Sequence, residues 1–226
     1  MEEIKVIQGT DEWLNIRCKK ITGSNFGIIM RTDGQKNKIA SVLANNEKFK
    51  DKPDKIKPMP PIFSDGQLTY LYSVIAEIFT GIPEFTATSF AMQRGTDLEP
   101  EARQAYSDKH MINVRECGIF TDDELIGVSP DGIAGDDYIL EIKCPGQKGH
   151  VEYMLNPEKL FNKYRWQVIA EAWATGLNKA VIISYHPDFP SDKQIVEFEY
   201  EPTLEDYTEL TDRLEECKTF VMEAIK

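Results

Sequence analysis

Residues 127–145 read Gly127-Val128-Ser129-Pro130-Asp131-Gly132-Ile133-Ala134-Gly135-Asp136-Asp137-Tyr138-Ile139-Leu140-Glu141-Ile142-Lys143-Cys144-Pro145, and the fold class turns on this stretch. Two short apolar runs, 125–128 and 138–142, flank residues rich in Gly, Asp and Pro. β-forming residues on either side of turn-tolerant ones predict a hairpin. Asp131 stands where the first run breaks, and Glu141 and Lys143 stand two apart at the end of the second. A strand's period of two puts both on one face. If the hairpin also brings Asp131 over, two carboxylates and an ammonium meet. The carboxylates are hard oxygen donors of the kind magnesium takes, and the backbone carbonyl of Ile142 between them offers a third ligand. The ammonium can orient a nucleophile or offset developing negative charge.

On spacing alone, an Asp followed ten residues later by Glu-x-Lys also fits a solvated hairpin carrying a surface ion pair. Two features favour a site. Ile139, Leu140 and Ile142 predict a buried strand, where an ionised Glu and Lys need a reason to be. Pro130 and Gly132 bracket Asp131 and restrict the backbone from which its carboxylate projects.

At 226 residues, 41% hydrophobic and 28% charged, the chain is expected to form one soluble domain over 1–226 with a substantial core. The N-terminus lacks a basic segment followed by an apolar run, and no apolar run approaches membrane-spanning length, so neither signal peptide nor membrane contact is expected. Cys18, Cys117, Cys144 and Cys217 are scattered, which reads as reduced thiols in a cytoplasmic protein and argues against structural zinc or an iron–sulfur cluster. The formal charge of −12 is unfavourable for a nucleic-acid partner, because phosphate neutralisation by Lys and Arg supplies much of such affinity. The charge is unevenly spread, however. Lys36, Lys38, Lys48, Lys50, Lys52, Lys55 and Lys57 crowd residues 31–63, predicted as a basic loop insertion with a short helix near 39–44; a solvated loop and a DNA contact both fit.

Elsewhere, capping residues set the elements. Thr10 or Asp11 caps a short helix carrying Arg17, and Thr22 or Ser24 caps a second through Phe26 and Ile29. A Ser at a helix N-terminus with an Arg seven residues earlier fits a phosphate pocket, although on these residues alone a plain cap and a surface Arg are the default reading. Helices are predicted over 65–80 and 88–106; in the second, Glu99 adjoins the stripe of Met92, Gly95, Leu98, Ala102 and Ala105 and either enters a site or faces solvent. Strands are predicted over 113–120, 125–128, 138–142, 181–185 and 195–200. A helix over 157–175 carries Gln167 among apolar neighbours, as a core amide or a site residue. A last helix occupies 203–226, with Thr203 and Asp206 as a capping-box pair. The pattern predicts an α/β (α+β) fold, a mixed sheet flanked by helices.

Five separated blocks, in order, resemble the lambda-exonuclease or YqaJ-like viral recombinase family of the PD-(D/E)XK nuclease superfamily. The blocks are Gln8 to Trp13 through Arg17 with Ile21-Thr22-Gly23-Ser24, then Arg94-Gly95-Thr96-Asp97-Leu98-Glu99, then Ser129-Pro130-Asp131-Gly132, then Leu140-Glu141-Ile142-Lys143-Cys144-Pro145, and Tyr164-Arg165-Trp166-Gln167 with Trp173 beyond. The resemblance implies a restriction-endonuclease-like nuclease core. It implies Asp131, Glu141 and the Ile142 carbonyl as ligands of magnesium (two ions, with manganese able to substitute), and Glu99 for the second ion or its waters. Lys143 would orient or activate the attacking water, helped by Gln167, and Arg17 and Ser24 would bind the terminal 5′-phosphate. The implied activity is a 5′→3′ exonuclease that degrades one strand of linear double-stranded DNA to mononucleotides and leaves 3′ overhangs. Implied with it are a homotrimeric ring around DNA ends, a single-strand-annealing recombinase as partner, and a phage or prophage protein acting in the bacterial host cytoplasm. The chain departs from the pattern in the length of 31–63, in Glu171 where an aromatic is usual four residues after Gln167, and beyond Tyr185.

Two other functions fit the same residues. A structure- or sequence-specific endonuclease on this fold would cut closed circular DNA. A non-catalytic DNA-end-binding protein would hold ends without hydrolysis.

Overall fold

Capping residues set most helix ends in the computed structural model, which describes residues 1–84, 89–122 and 124–226. The chain begins with strand β1 (Glu2–Ile4) and helix α1 (Asp11–Arg17), whose cap is the Thr10 hydroxyl accepting from the Trp13 amide at 3.3 Å. Strand β2 (Ile21–Thr22) leads through a 3-10 turn at Gly23–Asn25 into the short helix α2 (Phe26–Ile29). Helices α3 (Asp33–Lys48), α4 (Asp65–Thr80) and α5 (Phe90–His110) follow. The strand-rich part holds β3 (Val114–Arg115), β4 (Ile119–Thr121), β5 (Ile126–Val128), β6 (Gly132–Ala134) and β7 (Tyr138–Lys143). Helices α6 (Gln147–Leu155) and α7 (Pro157–Thr175), strands β8 (Ala180–Tyr185) and β9 (Ile195–Tyr200), and helix α8 (Leu204–Ala224) complete the chain. The start of the predicted 88–106 helix lies at residue 88, outside the described residues.

The fold is of the predicted α+β class, with mixed sheets flanked by helices; the strands form two such sheets, a four-stranded one in the order β1-β4-β5-β2 and a five-stranded one in the order β3-β6-β7-β8-β9. This corrects two expectations. The run 113–120 divides, with β3 pairing in the larger sheet and β4 in the smaller. The run 125–128 is not the hairpin partner of 138–142: β5 pairs with β4 and β2, while β6 turns back onto β7 through Gly135–Asp137. Pro130, which cannot donate to a ladder, stands at the crossing from one sheet to the other.

Alternation along β7 and β8 sends side chains into two cores. Ile139, Ala180 and Ile182 join the larger core with Val168 and Ile169 of α7, and Leu140, Ile142, Val181 and Ile183 face Ala102 and Tyr106 of α5. Glu141 and Lys143 share the parity of Ile139, so the strand aims them toward α7. Each fully buried Ile or Leu contributes about 1.5–3 kcal/mol relative to exposure, which holds β7 flat between the helices. Met92 of the predicted 88–106 stripe stays exposed, as do Phe79 near the end of α4 and Leu204 at the start of α8.

Residues 33–48 are a sixteen-residue helix, where a loop with a short helix near 39–44 was expected. No residue of α3 is buried, so no apolar stripe announces it; its signal is the capping box of Thr32 and Gln35. Beyond it the lysine-rich chain folds back, with Asn45 donating to Lys55 O at 3.1 Å and Asn46 to Lys57 O at 2.9 Å. The other end of α3 is fastened to the body by Gln35, which donates to Gln67 Oε1 at 3.2 Å, and by Lys36, paired with Glu209 at 2.5 Å; Gln67 in turn is held by Arg213 of α8, which is 1% exposed. Arg213 donates to Ile29 O at 2.6 Å, Ile62 O at 3.2 Å, Gln67 Oε1 at 3.0 Å and Glu216 Oε2 at 2.6 Å.

Asp206 joins the α8 cap to the body. Its carboxylate accepts from Tyr200 at 2.7 Å, from the Thr203 amide at 2.9 Å and from Arg165 at 2.5 Å. Burial pushes this carboxyl up, but these donors outweigh burial and hold it at about 2 against an ordinary 3.8. A folded-state value below the unfolded one stabilises at pH above about 3.8, and this contribution is lost as pH falls through about 2; at neutral pH it amounts to about 2 kcal/mol. Asp206→Asn is therefore expected to lower stability at pH 7 by that order and to flatten the acid side of the stability curve between pH 4 and 2. Urea unfolding at stepped pH checks it, and parallel acid limbs for variant and wild type would refute it.

Candidate active site

Asp131 enters the site immediately before β6, not from the break of a hairpin strand. Its Oδ2 accepts from the Ile142 amide at 2.7 Å, which ties it across to β7. On the other side of β6, Gly132 permits the close packing of β3, because a Cβ there would stand 2.7 Å from Val114 Cγ1. Two residues of the N-terminal block hold the preceding loop from outside. Gln8 donates to Pro130 O at 2.8 Å and Cys117 O at 3.0 Å, and Trp13 Nε1 donates to Ser129 Oγ at 3.1 Å.

Glu141 and Lys143 pair on one face of β7 as their spacing predicts, Nζ donating to Glu141 Oε1. Gln167 of α7 closes the group: its Nε2 donates to Glu141 Oε1 at 2.6 Å and to Glu171 Oε1 at 3.0 Å, and its Oε1 accepts from Lys143 at 3.4 Å. An amide with its nitrogen between two carboxylates and its oxygen toward an ammonium has one electrostatically favourable orientation. Lys143 Nζ also lies 4.5 Å from the Tyr164 ring centroid. Glu141 and Glu171 are each 1% exposed, and the Oε2 atom of each is buried without a hydrogen-bond partner.

Glu99 reaches the same group from α5. Arg103, one turn on, donates to Glu99 Oε1 at 2.5 Å and to Asp131 O at 2.9 Å, so it fixes a side chain and a backbone of the site together. Burial, then the charge of Glu141, pushes the Asp131 and Glu171 carboxyls well above the usual range. Glu99 is raised by burial against the pull of Arg103. Burial lowers Lys143, but Glu141 and Asp131 outweigh it and hold the ammonium protonated.

Asp131, Glu141, Ile142, Lys143, Glu99 and Gln167 thus meet in one group. Arg17 and Ser24 stand apart from it but line the same groove, of about 1240 Å³, which is large enough for a chain of nucleotides. Arg17 donates to Ser24 Oγ at 3.3 Å and lies 4.0 Å from the Trp13 ring centroid. Ser24 sits within the 3-10 turn and does not cap α2; the N-cap Asn25 makes no capping bond and donates instead to Thr22 Oγ1 at 2.9 Å. The expected cap by Thr22 or Ser24 is thereby corrected: neither side chain caps α2, which is a single turn of four residues.

Sequence reasoning missed Arg103 and treated Glu171 only as a departure from pattern. Arg103 had a signal in its spacing of four from Glu99, and Glu171 in its spacing of four from Gln167. Clustered hard-oxygen donors, two of them orphaned and three with raised affinity for protons, fit a divalent cation, which would relieve their mutual repulsion. Among the described residues no three His, Cys, Asp or Glu side chains stand at the spacing of a preformed metal site. Lys143 is on Glu141 instead, and the Ile142 amide on Asp131.

The profile of the YqaJ-like viral recombinase domain matches residues 12–178. No curated protein matches the chain. Among solved structures, an alkaline exonuclease (LHK-Exo) from Laribacter hongkongensis is 27% identical with a TM-score of 0.70, covering 95% of this chain and 96% of that one. Its complex with dAMP is likewise 27% identical, with a TM-score of 0.67 over 95% and 96% of the two chains. A phage-related exonuclease from Haemophilus somnus 129PT shares the fold at 14% identity, with a TM-score of 0.68 over 91% of this chain and 95% of that one. These likenesses support a nuclease role on a PD-(D/E)XK-like fold. Among the described residues, no helix is long and apolar enough to cross a membrane.

Proposed function

The chain belongs to the YqaJ-like viral recombinase family, and from that premise we propose that it is a magnesium-dependent 5′→3′ exonuclease. It degrades one strand of linear double-stranded DNA to mononucleotides and leaves 3′ overhangs for a single-strand-annealing recombinase in the host cytoplasm. The observation that carries the reading is the group of Asp131, Glu141, Lys143 and Gln167, opening on the same groove as Arg17 and Ser24. Asp131, Glu141 and the Ile142 carbonyl would hold one ion, and Glu99 would serve a second. The chemistry such ions supply when bound is Lewis-acid polarisation of the phosphodiester and activation of water. Lys143, with its ammonium braced by Glu141, Gln167 and the Tyr164 ring, donates to the attacking oxygen or to the charge that develops on the phosphoryl group. Gln167 keeps that ammonium in place. The forked guanidinium of Arg17 and the Ser24 hydroxyl receive the terminal 5′-phosphate, which makes the enzyme end-directed. The whole of 1–226 acts as one nuclease domain, and a homotrimeric ring lets a confined channel hold DNA although the chain is acidic overall.

Linear duplexes bearing 5′-phosphate or 5′-hydroxyl ends test the reading. With magnesium, the phosphorylated duplex is expected to be lost at least about tenfold faster, as a charge-assisted contact of ~1.5–3 kcal/mol is made in one case and not the other. Arg17→Ala should erase that preference while leaving basal hydrolysis. Equal rates on both ends in the wild type would remove Arg17 and Ser24 from the mechanism, and cleavage of closed circular DNA would replace the exonuclease by an endonuclease.

A further inference from the structure

Buried guanidinium nitrogens without a hydrogen-bond partner occur, among the described residues, on Arg31, Arg94 and Arg165. Arg31 and Arg165 are otherwise paired, with Glu216 and Asp206, each at 2.5 Å. Arg94 differs. Its Nη2 is buried and orphaned, and its guanidinium has neither a hydrogen bond nor an ion pair among the described residues. The buried polar nitrogen has given up water without a protein partner in exchange, which costs free energy unless a ligand supplies the acceptor.

Arg94 lines the large groove from α5, together with Cys144, Pro145 and Gly146 at the end of β7. Burial pushes the Cys144 thiol up to about 12 and the His186 imidazole down, and Arg94 is one of the charges acting on both. The guanidinium therefore lies near the ends of β7 and β8. Arg17, by contrast, acts on Tyr70 and shares its wall of the groove with Ser24. Along α5, Arg94 precedes Glu99 by five residues, about 7.5 Å at 1.5 Å per residue. An anion it holds is thus displaced from the carboxylates themselves.

We propose that Arg94 is a second phosphate-binding residue of the groove, taking a backbone phosphodiester of the DNA strand adjacent to the phosphate at the Asp131–Glu141 group. A planar fork of donors suits a phosphodiester, which presents two oxygens to it. The proposal rests on the nuclease reading for the identity of the polymer, and on the orphaned guanidinium for the site. Arg94 is a binding residue here and takes no part in bond breaking.

The test is fluorescence anisotropy of a labelled 5′-phosphorylated duplex with the full chain in EDTA, where hydrolysis cannot contribute, across a salt series. Arg94→Gln is expected to weaken binding about 5- to 20-fold and to reduce the slope of log affinity against log salt by about 0.9, one phosphate's share. Arg94→Lys should keep the slope and recover only part of the affinity, because charge survives and the fork does not. The melting temperature of Arg94→Gln should be equal to or above that of wild type, since no hydrogen bond or ion pair among the described residues is removed. Unchanged affinity and slope in Arg94→Gln would overturn the proposal, as would a wild type that binds no duplex. Competition with a deoxynucleoside 5′-monophosphate separates the two sources of phosphate. If Arg94→Gln loses affinity for the monophosphate and none for the duplex, the residue holds released product and the phosphodiester assignment is wrong. A wild type that binds duplex but does not cut it with magnesium would defeat the exonuclease reading and leave this binding test standing.

Discussion

Lys143→Ala is expected to lower kcat on linear duplex DNA with magnesium by about 10²–10³-fold, the effect of removing one preorganised donor from developing charge. The ammonium is held from three sides, by Glu141, by Gln167 Oε1 at 3.4 Å and by the Tyr164 ring at 4.5 Å. Alanine leaves no group that can reach the same point, so the donor is lost rather than displaced. Affinity for the DNA end should change far less, because Arg17 and Ser24 lie elsewhere in the groove. Some stability is also lost, about 2 kcal/mol or less: Glu141 keeps its bond from Gln167, and Lys143 is 22% exposed on its side chain. Single-turnover rates at a temperature where circular dichroism shows the variant folded isolate the chemical effect. Activity within tenfold of wild type would remove Lys143 from the mechanism.

Arg213→Met is expected to destabilise the fold strongly, by about 2–3 kcal/mol. The side chain is 1% exposed and spends its donors on two backbone carbonyls, Ile29 O and Ile62 O, on the buried Gln67 and on Glu216. Its guanidinium carbon lies 4.3 Å from the Phe63 ring centroid. Methionine fills similar volume but supplies no donor: Ile62 O loses its partner, Ile29 O keeps only Gln67 Nε2 at 3.1 Å, Gln67 Oε1 keeps the Ser64 amide at 2.9 Å and Gln35, and Glu216 keeps only Arg31. The urea midpoint should fall with little change in slope. A loss under 1 kcal/mol would mean that water or repacking satisfies those acceptors. Because Ile29 and Ile62 border the lysine-rich segment, the variant should also loosen residues 31–63, read as faster amide exchange there.

Elements with strong end signals were legible in the sequence. Helices α4 and α7 end at Gly81 and Gly176, both left-handed at φ 70° and 75°, and α8 begins at the Thr203–Asp206 box as predicted. Strand β7 was legible too, and with it the shared face of Glu141 and Lys143. Partnership between strands was not. A local pattern at 125–142 cannot tell a hairpin from a strand that leaves for another sheet, and Ser129-Pro130-Asp131-Gly132 serves as that crossing. Helix α3 escaped because it buries nothing and is held by Thr32 and Gln35 instead of an apolar stripe. In the site, Asp131, Glu141, Lys143, Glu99 and Gln167 were legible through family-like blocks. Arg103 and Glu171 were not, since their roles depend on partners 28 and 30 residues away at Asp131 and Glu141 in the sequence, which only the folded chain brings near.

The clasp that Gln8 and Trp13 place on Ser129 and Pro130 joins residues separated by 122 and 116 positions. Strand β1 adds to that separation, pairing Glu2 with Thr121. Contacts so distant along the chain are slow to form, because the entropy of closing the intervening loop is spent before any of them is made. The Asp131 loop is therefore among the last parts to settle as the chain folds. On a ribosome the first residues wait, unpaired, until more than half of the chain has emerged. Through that interval the nascent chain lacks the contacts that hold the Asp131 loop in place.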